Sequence, residues 1–164
     1  MSGKADYTPE EWTGILATPY LAGMLVVVSD PNLGFFGEIG ALTQAVASTV
    51  TGSQNALLKA VAAEAVSHEN QDAIKPRLET FKQEKDPALL AAALQAEVVR
   101  VADIVSAKSA EDGTAYRKWL VYLAERTAEG SKEGGFLGIS AVRVSEKETQ
   151  ALTQLREALG VPAS

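Results

Sequence analysis

The stretch Asp86-Pro87, followed by Leu90, Leu94, Val98, Val101 and Val105, constrains this chain more than any other. An aspartate ahead of a helix accepts the free N–H groups of the first turn. Proline at the first helical position has no N–H to lose and a backbone angle already set for helix. The apolar residues then recur every three or four positions, which places them on one helical face. The same grammar runs through the chain. Thr8-Pro9-Glu10-Glu11 reads as a capping box ahead of Trp12, Ile15 and Leu16. Ser53 reads as a cap for Leu57, Leu58, Val61, Ala62 and Ala65, and Tyr116, Trp119, Leu120, Leu123 and Thr127 share a face that ends near Gly130. Val144-Ser145-Glu146-Lys147-Glu148 is another capping box, with Leu152, Leu155 and Leu159 behind it and Gly160 as the stop. These signals predict an all-α single-domain bundle of six to eight helices over residues 1–164, with residues 1–7 as a flexible lead.

Several breaks are expected between these helices. Proline at Pro19 cannot donate to the helical ladder, so the spacing predicts a kink or fresh start after Thr18. Ser29-Asp30-Pro31-Asn32 has turn composition, with helix resuming from Glu38 to Val50. The helix carrying Leu57 and Val61 is expected to run on through His68 toward Ile74, with Pro76 limiting it. Residues 76–85, holding Leu78 and Phe81, read as a short helix, and Ser106 to Gly113 as a polar connection.

Composition excludes several classes of function. Fifteen basic against 21 acidic side chains give a net charge of −6, and no basic stripe is interleaved with aromatics, so nucleic acid is not an expected partner. The absence of cysteine removes disulfides, thiolate metal sites and a cysteine nucleophile. The apolar run from Tyr20 to Val28 is about half of the roughly 20 residues that span a bilayer, and reads as a buried helix. With no secretory pattern at Met1-Ser2-Gly3-Lys4, no membrane span is expected and the chain reads as cytoplasmic.

Two look-alike segments carry the least ordinary residues, Gly34-Phe35-Phe36-Gly37 and Gly135-Phe136-Leu137-Gly138. Glycine frees the backbone for turns, while phenylalanine must bury its ring or present it to a partner. Read as turns, they make Phe35, Phe36, Phe136 and Leu137 the candidate interaction surface, for a protein partner or a second copy. Their placement after long helices also allows a pseudo-two-fold arrangement, although two Gly-rich loops with buried rings would read the same way.

Glu129-Gly130, then Gly134-Gly135-Phe136-Leu137-Gly138, Val144-Ser145-Glu146-Lys147-Glu148 and Leu159-Gly160 resemble tellurite-resistance-B-like helical domains over about 35 residues. That family places an acidic-Gly turn after one helix and an acid in the first turn of the next. Its usual Asp-Gly is Glu129-Gly130 here, and the turn is longer. The resemblance implies an α-helical, stress-associated protein in which acidic residues could hold a metal.

Candidate chemistry is sparse. His68 is the only histidine, which rules out a two-histidine metal site within one chain. On a continuous helix Glu64, His68 and Asp72 would form a stripe able to hold a divalent cation, or simply a solvated face. Asp30, Glu38, Glu129 and Glu133, with Glu146 and Glu148, lie near the Gly-Phe segments. They would suit a hard cation if those segments met, and equally serve as first-turn acids. Trp12, Tyr20, Trp119 and Tyr122 could line a ligand pocket, although Trp119 sits on a core face. No nucleophile–base pair can be named, and no cofactor is indicated. The chain therefore reads as a non-enzymatic binding or scaffolding protein. The alternative is a protein holding a small molecule or divalent metal between helices.

Overall fold

The structure is a computed structural model that describes residues 1–30, 35–133 and 144–163, with backbone alone for 35–39 and 131–133. Among these residues the chain forms a 3-10 turn, Lys4–Asp6, and seven α-helices, with no strand. The helices are α1 (Pro9–Ser29), α2 (Phe35–Gly52), α3 (Ala56–Ala65), α4 (His68–Phe81), α5 (Pro87–Lys108), α6 (Ala110–Glu133) and α7 (Glu146–Leu159). This is the all-α bundle that the cap signals predict.

Helix α1 is the axis of the bundle and packs against all six other helices. Surrounded on every side, it cannot be amphipathic, which is why its residues are apolar all round. It is long and apolar enough to cross a membrane, yet 67% of its apolar 18-residue stretch is buried inside the bundle. Helix α5 runs antiparallel to α1, with Val101 beside Gly14 and Ala88 near Leu25. Leu94, Val98, Val101 and Val105 are buried on its inner face, as their spacing requires. Tyr116, Trp119, Leu120, Leu123 and Thr127 are likewise buried on α6. Close approach of α1 and α2 depends on Gly23, where a Cβ would lie 2.3 Å from a Leu42 methyl.

The caps at Thr8, Asp86 and Ser145 form as expected, and Gly160 takes the left-handed conformation with φ 66°. Other boundaries differ from the sequence expectation. Helix α1 runs through Pro19 without a restart. Proline leaves the carbonyl four residues back, that of Ile15, without its helical donor, and the buried Tyr116 hydroxyl supplies one at 2.9 Å. Helix α4 similarly passes through Pro76 and takes in Leu78 and Phe81. Helix α2 begins at Phe35, so the first Gly-Phe segment is not a free turn. Extension adds a backbone bond per residue, and one glycine costs only about 1 kcal/mol.

The polar connection expected at Ser106–Gly113 shrinks to one residue. Ser109 has an extended backbone, its N–H closes α5 on the Val105 carbonyl, and its hydroxyl accepts from the Asp112 N–H to cap α6. Gly113 is therefore a packing residue and not a loop residue. A Cβ there would lie 2.6 Å from the Ser106 Cα.

The N-terminal residues, expected to form a flexible lead, are tied to α6. The Ser2 N–H and hydroxyl both donate to Asp112, the hydroxyl at 2.8 Å, and Asn55 Nδ2 donates to the same carboxylate at 3.0 Å. Asn55, and not Ser53, caps α3, accepting from the Leu58 N–H. Burial pushes the Asp112 carboxyl up, but hydrogen bonds from the Ser2 amide, Asn55, the Ser2 hydroxyl and Ser109 outweigh it and hold it below its ordinary value.

Candidate functional site

Two grooves flank the α1–α5 seam. Gln95 and Glu97 sit two residues apart on α5, roughly 200° around its axis, so each belongs to a different flank. The first groove lies between α1, α5 and α7. It is an open cleft of about 400 Å³ with Leu25, Ala91 and Ala151 among its apolar walls. Gln95, Gln150, Gln154 and Lys147 edge it. The alanines hold the helices' side chains back and so make the space. The three carboxamides and the ammonium have no hydrogen-bond or ion-pair partner among the described residues. A carboxamide carries a donor and an acceptor, as a peptide group does.

The second groove, on the α4 flank, is a cavity of about 220 Å³ lined by Gly14, Ala17, Leu21, Arg77, Thr80, Phe81 and Glu97. Arg77 reaches from α4 across α1, where its Nη2 donates to the Glu10 carbonyl at 2.9 Å. A Cβ on Gly14 would lie 3.2 Å from Arg77 Nη1, so the glycine lets the guanidinium lie against the helix. Glu97 Oε1 is 3.7 Å from Arg77 Nη1, an ion pair without a hydrogen bond. The close partner of Glu97 is Arg100, which donates through Nε at 2.8 Å and Nη2 at 2.6 Å and whose pKa those bonds raise.

A third space, about 280 Å³, lies where α2 and α3 meet α6, between Leu58, Trp119 and the 44% exposed Tyr122. The Trp119 indole donates to Thr49 Oγ1 at 2.9 Å. The four aromatics proposed as a single pocket do not gather there. Trp12 and Tyr20 sit at the other end of α3, bonded to the Glu64 carboxylate and the Ala65 carbonyl.

The histidine stripe does not form. Helix α3 ends at Ala65, Ser67 takes an extended backbone, and His68 begins α4, so Glu64 and Asp72 lie on different helices. Glu64 is occupied by Lys4 Nζ at 2.9 Å and the Trp12 indole at 2.9 Å. Asp30 is the residue after α1, Glu129 pairs with Arg126 at 2.7 Å, and Glu146 is an exposed first-turn acid. Glu148 completes its capping box through Oε2 and is fully buried, with Oε1 unpartnered among the described residues. Glu38 and Glu133 are helical by backbone, and their side chains lie outside the described residues. No group of three or more metal-capable side chains occurs among the described residues. Phe136 and Leu137 lie outside them, as do the side chains of Phe35 and Phe36.

The grooves carry residues that sequence reasoning passed over. Gln150 and Gln154 stand one turn apart on α7, and Gly14 interrupts an apolar helix. Both were visible signals, but neither says what faces it. Comparison of the chain with protein-family models, curated proteins and solved structures finds no match.

Proposed function

We propose that this chain is a non-catalytic binding protein that holds an extended, acidic segment of a protein partner in the α1–α5–α7 cleft. The observation that carries the reading is the set of carboxamides, Gln95, Gln150 and Gln154, without a partner among the described residues, around an alanine-lined floor. An extended peptide presents N–H and C=O groups along its length, and glutamine can answer both. Among the described residues Lys147 is the only charged one lining the cleft, which favours an acidic side chain on the occupant. Such a role fits a helical scaffold working in the cytoplasm, and a stress-associated setting of the kind the tellurite-resistance-B-like resemblance implies.

Fluorescence anisotropy with labelled acidic, neutral and basic peptides tests this. The acidic peptides should bind best. Ala92→Trp, which fills the cleft from an exposed position, should weaken them at least about tenfold, and Lys147→Glu should remove the preference for acid. Binding without charge preference and indifferent to both substitutions would contradict the proposal.

A further inference from the structure

A separate inference concerns the α4 flank and does not rest on the peptide cleft. The geometry points to the cavity between α1, α4 and α5 as a binding site for a zwitterionic α-amino acid with a small aliphatic side chain. Arg77 is the first reason. A guanidinium carries five N–H donors, yet among the described residues this one makes a single hydrogen bond, to the Glu10 carbonyl. Its nearest carboxylates stand off at 3.7 Å (Glu97) and 3.9 Å (Glu10). The side chain is only 26% exposed, so water does not fully replace the missing partners. A ligand carboxylate would take the free donors in the forked geometry that arginine prefers.

Glu97 is the second reason. It lines the same cavity and leaves its opposite charge 3.7 Å from the guanidinium. A bare anion would meet that carboxylate and be repelled. A molecule with ammonium and carboxylate on one carbon would lie antiparallel over the pair, each charge facing its opposite. Arg100 occupies one lone pair on each Glu97 oxygen and leaves acceptor capacity for an ammonium.

The remaining walls set the side chain. Ala17, Leu21 and Phe81 form an apolar end, and about 220 Å³ is several times the roughly 30 Å³ share of one water molecule. Gly14 is what opens the space. A glycine inside a helix is disfavoured against alanine, and here any side chain would press on Arg77.

The test is NMR titration of the whole protein with L-leucine, with 4-methylpentanoate (no ammonium) and with isopentylamine (no carboxylate). L-leucine should give saturable shifts at the amides of Gly14, Ala17 and Thr80, and each one-charge analogue should bind at least about tenfold more weakly. Arg77→Gln should abolish the shifts. Because that change could loosen α4, Thr80→Trp provides a second variant at an exposed position, blocking the cavity while leaving the fold intact by circular dichroism. Absence of saturable shifts, affinity for 4-methylpentanoate equal to that for L-leucine, or full binding by a folded Thr80→Trp variant would each overturn the inference.

Discussion

The Tyr116 hydroxyl donates at 2.9 Å to the Ile15 carbonyl, the one carbonyl of α1 that Pro19 deprives of its helical donor. Both groups are fully buried, so the bond replaces what neither the helix nor water can supply. Burial pushes the Tyr116 phenol well above its ordinary value, so it remains a donor across the physiological range. Tyr116→Phe should cost about 1–3 kcal/mol, the usual penalty for a buried carbonyl left unpaired. Pro19→Ala restores an N–H at the right position, so the Tyr116→Phe cost should fall in that background. Urea unfolding of the two single variants and the double variant measures the coupling, and strict additivity would mean that Tyr116 and Pro19 are unrelated.

Gly113 and Gly40 should respond in opposite directions to the same change. Gly113→Ala drives a methyl against the Ser106 backbone, where helices α5 and α6 turn back on one another. Overpacking of that kind costs about 1–3 kcal/mol. Gly40 is exposed within α2 and a Cβ there meets nothing within 4 Å. Gly40→Ala should therefore stabilise by about 0.5–1 kcal/mol through helix propensity and the unfolded chain. Thermal melts of the two variants, moving to opposite sides of the parent, are the expected outcome.

Acid should loosen the tie between the N-terminal residues, α3 and α6. The folded-state pKa of Asp112 is held below its unfolded value. Its contribution is thus fully present above the unfolded value, about 3.9, and is lost as pH falls through the folded one. Asp112→Asn keeps the shape but removes the charge. It should be less stable than the parent at neutral pH and lose less stability between pH 5 and 2 on the order of one titrating group. Parallel pH–stability curves for the two proteins would show that Asp112 does not titrate with folding.

Much of the fold was legible because helix ends are local chemistry. Thr8, Asp86, Ser145 and Gly160 act through neighbours within four residues, so the sequence alone shows them. At Pro19 the restart is absent and the freed carbonyl finds its donor in Tyr116, 101 residues from Ile15, which no local pattern announces. Gly113 was misread as a loop residue because Ser106 faces it only once α5 and α6 turn back on one another. Ser67 broke the expected helix through His68 by a single extended residue at the N-cap of α4. The candidate sites were less legible. Gln95 meets Gln150 and Gln154, and Arg77 meets Gly14 and Glu97, only after three helices assemble, and nothing in their spacing announces it.

The measurement that tests the binding account most directly is NMR of the glutamine side-chain amides during titration with an acidic peptide. The account predicts that the NH₂ resonances of Gln95, Gln150 and Gln154 shift together and saturate with one affinity, along with the Lys147 amide. Shifts that spare all three carboxamides and cluster elsewhere on the bundle would contradict it.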